Sequence, residues 1–302
     1  MAELLHADAE LLAQDLPPLS QISVGTPIYA GRQGLMEFRA AGDRSNPVVL
    51  MLHGLGSSSA GYRAQLAGLS SDFHVIAWNA PGFGSSSKIG RQEASIDDYA
   101  DGLKAFLQAL GVRRVSALVG SSWGSVIALA FARRYQQRVG SLVLSAPNLA
   151  KGHLAGEARD AELNAWLRTA DVGIPVSRAA IADRLLAPAA PALVRSLVER
   201  LRDDMTNDGW RQAIRSLFTI ATPEIISEIR CPITILSGTH DRVAPYEEHA
   251  APLLASAPLA KSYSIEGCGH MLKLEAPGEF NAVVRQMAAE AQGDTVTSAM
   301  SN

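Results

Sequence analysis

The sequence predicts an α/β protein built on a mostly parallel sheet with helices on both faces. Two observations carry this prediction. Short apolar runs that fit buried strands alternate with longer helical patterns over most of the 302 residues, and this alternation is typical of β-α-β units. The alternation stops between residues 149 and 222, where the pattern is helical and is punctuated by prolines. The sequence therefore predicts one α/β core that is interrupted by a helical insertion.

Runs rich in Val, Ile and Leu mark the strands, and apolar residues three or four positions apart mark the helices. Strands are predicted at residues 36–39, 48–52, 73–78, 115–119, 142–144, 232–238 and 261–266. Core helices are predicted near residues 62–69, 96–110, 126–132 and 277–287. The first strand fits an antiparallel one that precedes the parallel set, and Gly111 is expected to cap the second helix.

These elements divide the chain into an N-terminal extension (1–20), an α/β core (21–148 and 223–290), a helical lid (149–222) and a disordered tail (291–302). Residues 149–222 are called the insertion below. Leucines of the N-terminal extension have helical spacing, and their stripe could pack on the core, form a homodimer or fray. The tail is small and polar, as disordered segments commonly are.

Composition and charge argue against several functions. A net charge of -3, with both signs spread along the chain, leaves no basic stripe for nucleic acid. No apolar stretch reaches membrane-spanning length, and residues 1–16 lack the pattern of a secretory signal. Cys231 and Cys268 give no disulfide framework, so reduced thiols and a cytoplasmic location are expected. No dinucleotide-binding or metal-ligand motif is found, so no cofactor and no metal are expected.

Residues 120–124 read Gly-Ser-Ser-Trp-Gly, and they join a buried strand to an Ala-rich helical pattern. A Gly-x-Ser-x-Gly motif in this strand–turn–helix setting is typical of a nucleophile elbow. Because a Cβ at either glycine would clash across so tight a turn, the serine two residues from each glycine, Ser122, is the expected nucleophile. Ser121 and Ser125 lack glycines at these offsets and are interpreted as neighbours.

A serine nucleophile needs a base to accept its proton and an acid to orient that base. Asp241 follows the strand predicted at residues 232–238, and His270 follows the next strand in a Gly-Cys-Gly-His sequence. This order of serine, acid and histidine accompanies the nucleophile elbow. The rival acid position carries Asn148, which cannot hold the required negative charge, and His240 is expected to point away.

The oxygen of a tetrahedral intermediate needs two N–H donors aimed at it. A predicted strand runs into a His-Gly-Leu-Gly sequence, and the N–H groups of Leu55 in this loop and of Trp123 after the nucleophile are the expected donors. Small residues let this loop approach a substrate closely. His53, Gly54 and Gly56 are therefore predicted to contact the substrate.

With these motifs in hand, the chain resembles the α/β-hydrolase superfamily over roughly residues 34–289. The motifs that carry the resemblance lie at residues 53–56, 80–85, 120–124, 238–245 and 269–270. The chain looks most like lid-bearing esterases, enol-lactonases and ring-cleavage-product hydrolases, because residues 207–210 are similar to a late segment of the enol-lactonase lid. Trp123 departs from the usual Met or Leu, and Asn79 replaces an aspartate common before the Pro-Gly turn.

The resemblance implies hydrolysis through an acyl-enzyme on Ser122, with His270 as base and Asp241 as its orienting acid. The expected substrate is a small to medium, partly apolar carboxylic ester or lactone. An alternative is hydrolysis of a carbon–carbon bond in a dienoic 1,5-diketone, and another is a non-catalytic ligand receptor on the same scaffold. Epoxide hydrolase and dehalogenase chemistry is disfavoured, because those members need an aspartate where Ser122 stands.

The insertion is expected to set which small molecule binds. Trp166 and Trp210 are its predicted substrate contacts. Other apolar residues could line the same pocket: Leu167, Met205, Leu217 and Phe218. Each of these could instead hold the helices of the insertion together. Arg211 and Arg215 could meet a substrate carboxylate, but their acidic neighbours favour a solvated face.

Overall fold

The computed structural model describes residues 4–172, 178–201 and 206–299. Its strands are β1 (Ser20–Gly25), β2 (Gln33–Ala41), β3 (Val48–Leu52), β4 (His74–Trp78), β5 (Ala117–Ser121), β6 (Leu142–Ser145), β7 (Ile233–Gly238) and β8 (Lys261–Ile265). They form one sheet in the order β1-β2-β4-β3-β5-β6-β7-β8. β1 and β2 are antiparallel to their neighbours, whereas β3 to β8 run parallel. The predicted mostly parallel sheet is therefore confirmed.

Twelve helices lie within the described ranges. They are α1 (His6–Ala13), α2 (Arg63–Gly68), α3 (Ile96–Ala109), α4 (Trp123–Arg134), α5 (Gly156–Val172), α6 (Arg178–Leu185), α7 (Ala192–Arg200), α8 (Asn207–Ser216), α9 (Thr222–Ile226), α10 (Tyr246–Ser256), α11 (Leu272–Glu275) and α12 (Pro277–Ala299). None of them is long and apolar enough to cross a bilayer.

Helices cover both faces of the sheet because the central strands are apolar on both sides. In β3, Leu50 and Leu52 belong to the hydrophobic cluster that includes α3, α4 and α10. The alternate residues Val49 and Met51 belong to a second cluster with α2 and α12. All four side chains are fully buried, so the sheet is the middle layer between two cores.

Local signals define the ends of α3. The Ser95 hydroxyl accepts a hydrogen bond from the N–H of Asp98, whose carboxylate accepts one from the N–H of Ser95. This capping box satisfies two N–H groups at the start of the helix. At the other end Gly111 has a φ of +73°, and its N–H donates to the carbonyl of Gln108. The predicted glycine cap is confirmed.

The two ends of the chain differ from simple tails. β1 was not predicted, because only its alternate residues Ile22 and Val24 are apolar in an edge strand. Leu12 of α1 is buried, and α1 packs against α2 and α12 of the same chain. At the other end α12 continues to Ala299, into the segment predicted as a disordered tail. Residues 300–302 lie outside the described ranges.

The insertion lies between β6 and β7 and carries α5, α6, α7 and α8. Within its described residues no strand interrupts the helices, as the sequence pattern predicts. Met205, one of the apolar residues named above, lies outside the described residues. Because the insertion follows the carboxyl end of β6, its helices start and finish beside the edge of the sheet where the loops after β3, β5 and β7 also lie.

Candidate active site

The elbow between β5 and α4 places Ser122 in a strained backbone conformation. Ser122 has φ of 53° and ψ of -118°, which non-glycine residues rarely adopt. A Cβ at Gly120 would lie 2.5 Å from the carbonyl oxygen of Gly124, and a Cβ at Gly124 would meet the carbonyl oxygen of Leu52. Both glycines are therefore required by the packing of the turn, as the motif predicts.

Asp241 and His270 form a buried hydrogen-bonded pair. Nδ1 of His270 lies 2.8 Å from Oδ2 of Asp241, and their side chains are 6% and 1% exposed. The other carboxylate oxygen accepts hydrogen bonds from the N–H groups of Val243 and Ala244, at 2.8 and 2.9 Å. Burial by itself would raise the pKa of Asp241, but the hydrogen bond and charge of His270 and the two N–H donors outweigh it and lower that pKa. Asp241 is held as an anion that orients the imidazole.

Ser122 and His270 line a common cavity of about 320 Å³. Its core side is formed by Leu55, Ser122, Trp123, Asn148, Val243 and His270. Its other side comes from the insertion: Trp166, Thr169, Ala180, Ile181, Arg184, Leu185, Trp210, Ile214 and Leu217. Most of the lining residues are apolar, with Ser122, Asn148 and His270 as polar groups on the core side and Thr169 and Arg184 on the side of the insertion, which is the usual composition of a small-molecule site.

The two predicted oxyanion donors lie on either side of Ser122. Trp123 is the first residue of α4, and the first N–H groups of a helix have no partner within it. Leu55 borders the same cavity, and a Cβ at its neighbour Gly54 would lie 3.1 Å from Cβ of Ser122. The loop after β3 thus approaches the elbow as closely as a glycine permits. Gly56, with a φ of +80°, lets this loop turn.

His53 does not line the cavity, contrary to the predicted substrate contact. Its ring is fully buried beside Phe83 and Trp123. Nε2 accepts a hydrogen bond from the N–H of Ala80, and Nδ1 contacts the carbonyl of Gly54. Burial lowers the pKa of His53 to about 4, so the ring is neutral. His53 holds the loop after β3 against the Pro-Gly turn.

Gly54 and Gly56 border a second, small cavity beside the elbow and are absent from the lining of the larger one. Their contribution to the larger cavity is indirect, because they shape the backbone around Leu55.

Trp123 also contacts the insertion. Its side chain is 1% exposed, and Nε1 donates a hydrogen bond of 3.0 Å to the hydroxyl of Ser216 in α8.

Trp166 and Trp210 both line the larger cavity, together with Leu217. Leu167 and Phe218 are instead buried among the helices, where the Phe218 ring packs edge-on against Trp166. Hence the apolar residues of the insertion divide between the two roles that the sequence left open.

The other residues that the sequence offered for the site do not form a second pair of acid and histidine. Asn148 lines the cavity but carries no charge, and its N–H donates to the hydroxyl of Ser125. His240 is exposed, and its N–H donates to the carbonyl of Cys268. Arg215 forms an ion pair with Glu93 at 3.3 Å and does not line the cavity.

Sequence reasoning missed the contribution of α6. Ile181 and Leu185, four residues apart, face the cavity with Arg184, and this i, i+4 spacing was the available signal. It also missed Lys273, a buried lysine three residues after His270.

Among the described residues no group of three or more His, Cys, Asp or Glu side chains is placed to hold a metal ion.

Comparison with known proteins identifies the family. A sequence profile of the alpha/beta hydrolase fold matches residues 47–277. Protein Rv2715 of Mycobacterium tuberculosis is 30% identical over 269 residues, which cover 82% of this chain and 76% of that protein. The 2-hydroxy-6-oxo-6-phenylhexa-2,4-dienoate hydrolase of Comamonas testosteroni is 25% identical, covering 82% and 88%. The chain therefore belongs to the α/β-hydrolase family.

Solved structures agree on the fold. A thermophilic esterase from Thermogutta terrifontis matches with a TM-score of 0.79 at 22% identity, over 90% of this chain and 99% of that one. The enol-lactonase from Burkholderia xenovorans matches with a TM-score of 0.70 at 19% identity, over 85% and 97%. At such identities the likeness shows the fold alone, and the predicted α/β-hydrolase fold is confirmed.

Proposed function

We propose that this α/β-hydrolase is a serine hydrolase that cleaves a small to medium carboxylic ester or lactone. The observation that carries the proposal is the 2.8 Å contact between His270 and the buried Asp241, in a cavity that also exposes the strained Ser122. An imidazole oriented by a carboxylate is the arrangement that activates a serine hydroxyl.

In the proposed mechanism, Oγ of Ser122 attacks the substrate carbonyl while His270 takes the hydroxyl proton. His270 then gives that proton to the leaving alcohol oxygen, and Asp241 stabilises the imidazolium without being protonated. The N–H groups of Leu55 and Trp123 bind the negative oxygen of the tetrahedral intermediate. Water releases the acyl group by the reverse sequence of proton transfers, which regenerates the free serine.

The cavity supports a substrate of moderate size with an apolar part. A volume of about 320 Å³ lies at the lower end of the usual range for small-molecule sites. Trp166, Trp210 and Ile214 offer apolar surface opposite Ser122. In this proposal the insertion acts as the lid of the site and selects the acyl or alcohol group.

A fluorophosphonate and a panel of p-nitrophenyl esters test the proposal. We expect the phosphonate to label Ser122, identified by peptide mass spectrometry, and esters of short to medium acyl chains to be hydrolysed by the pure protein. Labelling of another residue would reassign the nucleophile. Absence of both labelling and turnover would favour the ligand-receptor alternative.

Carbon–carbon bond hydrolysis is a second candidate, supported by the resemblance to the dienoate hydrolase. A dienoate carries a carboxylate, and the exposed Arg184 side chain lines the cavity. Arg184→Gln should then reduce kcat/KM for a dienoic 1,5-diketone about tenfold or more, with no change for neutral esters. Equal effects on both substrates would remove Arg184 from this role.

We also propose that the protein is cytoplasmic and acts without a cofactor. Cys231 and Cys268 are free thiols. Burial raises the pKa of Cys231 to about 11 and that of Cys268 to about 12, which makes both of them unreactive at neutral pH. Unreactive thiols of this kind fit apolar packing residues of the interior better than redox residues.

A homodimer through α1 stays a prediction, which light scattering of the purified protein would test.

A further inference from the structure

Lys273 is a buried lysine that the proposed mechanism does not use. It lies on α11, three residues after His270, and its side chain is 1% exposed. The negative charge of Glu275 favours the protonated form of Lys273. This carboxylate already accepts hydrogen bonds from the N–H groups of Ala187, Gly269 and Met271. A buried ammonium group is costly unless its N–H donors find partners, so its contacts indicate its role.

These contacts reach two segments of the site. Nζ of Lys273 lies 3.0 Å from Oγ of Ser121, the residue before the proposed nucleophile. It also lies 5.2 Å from the centre of the Tyr62 ring. The Tyr62 hydroxyl donates a hydrogen bond of 2.8 Å to the carbonyl of Leu52, where β3 enters the loop of Leu55. Lys273 therefore links α11 to the elbow through Ser121, and to the loop after β3 through Tyr62.

Lys273 also borders the small cavity beside the elbow. That cavity has a volume of about 20 Å³ and is lined in addition by Ser122, His270, Leu55 and Ser57. A volume of this size holds a single water molecule and excludes the acyl group of a substrate. Lys273 therefore stands next to the reacting residues but acts on them through Ser121.

We propose that Lys273 is a positioning residue whose ammonium group, through Ser121, holds the elbow in place against the loop after β3. This inference rests on the proposed function. In that role it fixes the distance between Ser122 and the oxyanion donors. Its positive charge also favours the negative charge that develops beside the elbow during attack. Both effects act on the rate of attack more than on substrate affinity, because Lys273 does not touch the substrate.

Titratable groups face Lys273 from each neighbouring segment: Tyr62, His53, His270 and Glu275. Burial raises the pKa of Tyr62 far above its usual range and lowers the pKa of His53 to about 4. Burial also raises the pKa of Glu275, against the pull of three N–H donors. Burial lowers the pKa of Lys273 itself to about 8. Lys273 is thus expected to lose its proton in a pH range in which neither Tyr62 nor His53 changes its charge.

The test is the rate of fluorophosphonate labelling of Ser122 between about pH 7 and pH 9.5. In the wild-type protein the rate should fall as pH rises through about 8, because the ammonium loses its charge. Lys273→Met should react about tenfold to a hundredfold more slowly at pH 7 and show no such fall. Lys261→Met is the matched control, since Lys261 is exposed and pairs with Glu290 at the surface, and it should behave as wild type.

Ser121→Ala gives a second, smaller perturbation that removes only the acceptor, so the test stands if Lys273→Met does not fold. It should also slow labelling at pH 7, by about tenfold. A folded Lys273→Met or Ser121→Ala protein with the wild-type rate and pH profile would overturn the inference. Failure of the wild-type protein to label at Ser122 would instead overturn the proposed function, so the two failures are distinguishable.

Discussion

The two sides of the cavity differ in how their residues are held. On the core side, Ser122 and His270 are held by backbone geometry and short hydrogen bonds, with glycines packed against neighbouring backbone. On the insertion side, Trp166 and Trp210 lie on α5 and α8 and pack in the hydrophobic cluster that includes α3 and α4, and Gly209 lets α8 approach the carbonyl of Gly82. In the proposed function this difference means that the core side supplies the chemistry, which needs accurate placement, and that the insertion supplies the shape of the site.

Hydrogen bonds connect the two sides at many points. The N–H of His270 donates to the carbonyl of Leu185 in α6, at 2.7 Å. The Thr206 hydroxyl donates to the carbonyl of Gly82, and Nε1 of Trp123 donates to Ser216. The insertion is thus docked at defined points without sharing the core's hydrogen-bonded sheet. Changes in the insertion should mainly alter selectivity, and changes at Ser122, Asp241 or His270 should remove most of the turnover.

The largest expected effect is at Ser122. Ser122→Ala should lower kcat for p-nitrophenyl esters on the order of a millionfold, with residual turnover above background from the oxyanion donors. Ser121→Ala, the neighbouring serine, should cost far less because it keeps the nucleophile. Comparable losses in both variants would show that the elbow fails as a whole and would break the assignment of Ser122.

The next effect is at Asp241. Asp241→Asn should lower kcat about ten-thousandfold, because an amide cannot hold the imidazole in the required tautomer and charge. Far-ultraviolet circular dichroism should show an unchanged fold. Asp72→Asn is the control, since Asp72 forms an exposed ion pair with Arg285. Near-normal turnover in Asp241→Asn would mean that another group orients His270.

The buried charge of Lys273 on the core side lowers the free energy of unfolding, and the size of this effect should depend on pH. Its pKa is about 8 in the folded protein, against 10.5 in an unfolded chain. Below pH 8 both states are protonated and the folded state carries the whole cost of burying the charge, about 3 kcal/mol. As pH rises from 8 to 10.5 the folded state is deprotonated first, so this cost disappears.

Lys273→Met should therefore be more stable than wild type at pH 7, and the difference should shrink as pH rises toward 10. Urea unfolding at both pH values measures it, with Lys261→Met as a variant that should show no such trend. A stability difference independent of pH would mean that Lys273 is not the titrating group.

The smallest effect concerns the insertion side. Trp210→Ala should change kcat/KM for long and short acyl esters by unequal factors, within about 1–3 kcal/mol or roughly ten- to two-hundredfold. Leu167→Ala, a buried residue of the insertion outside the cavity lining, should lower the melting temperature without changing the acyl-chain preference. An unchanged preference in Trp210→Ala would leave it a structural residue only.

Sequence patterns were most informative where chemistry depends on neighbours along the chain. The elbow was predictable because its turn requires Gly120 and Gly124 at fixed offsets from Ser122. The order of Asp241 and His270 was predictable because each follows its own parallel strand, and the carboxyl ends of such strands share one edge. In the structure, Nδ1 of His270 lies 2.8 Å from Oδ2 of Asp241, which is the proximity that a shared edge allows.

Residues whose roles depend on distant partners were predicted poorly. His53 sits in a glycine-rich loop that suggests substrate contact, but the burial of its ring against Phe83 decides otherwise. Lys273 has the sequence pattern of a surface lysine on a short helix, and only the approach of Ser121, 152 residues earlier, explains its burial. Neither partner can be inferred from local spacing, because nothing within a few residues encodes it.

Local periodicity and turn chemistry were enough to specify the parallel sheet and the helical insertion, and to predict Ser122, Asp241 and His270 as the candidate catalytic residues. These features follow from steric rules that act within a few residues or along one strand. The side chains that face the cavity from α6 and α8, and the network around Lys273, were decided by tertiary packing. Packing brings together residues more than a hundred positions apart, and its outcome depends on the fit of whole surfaces.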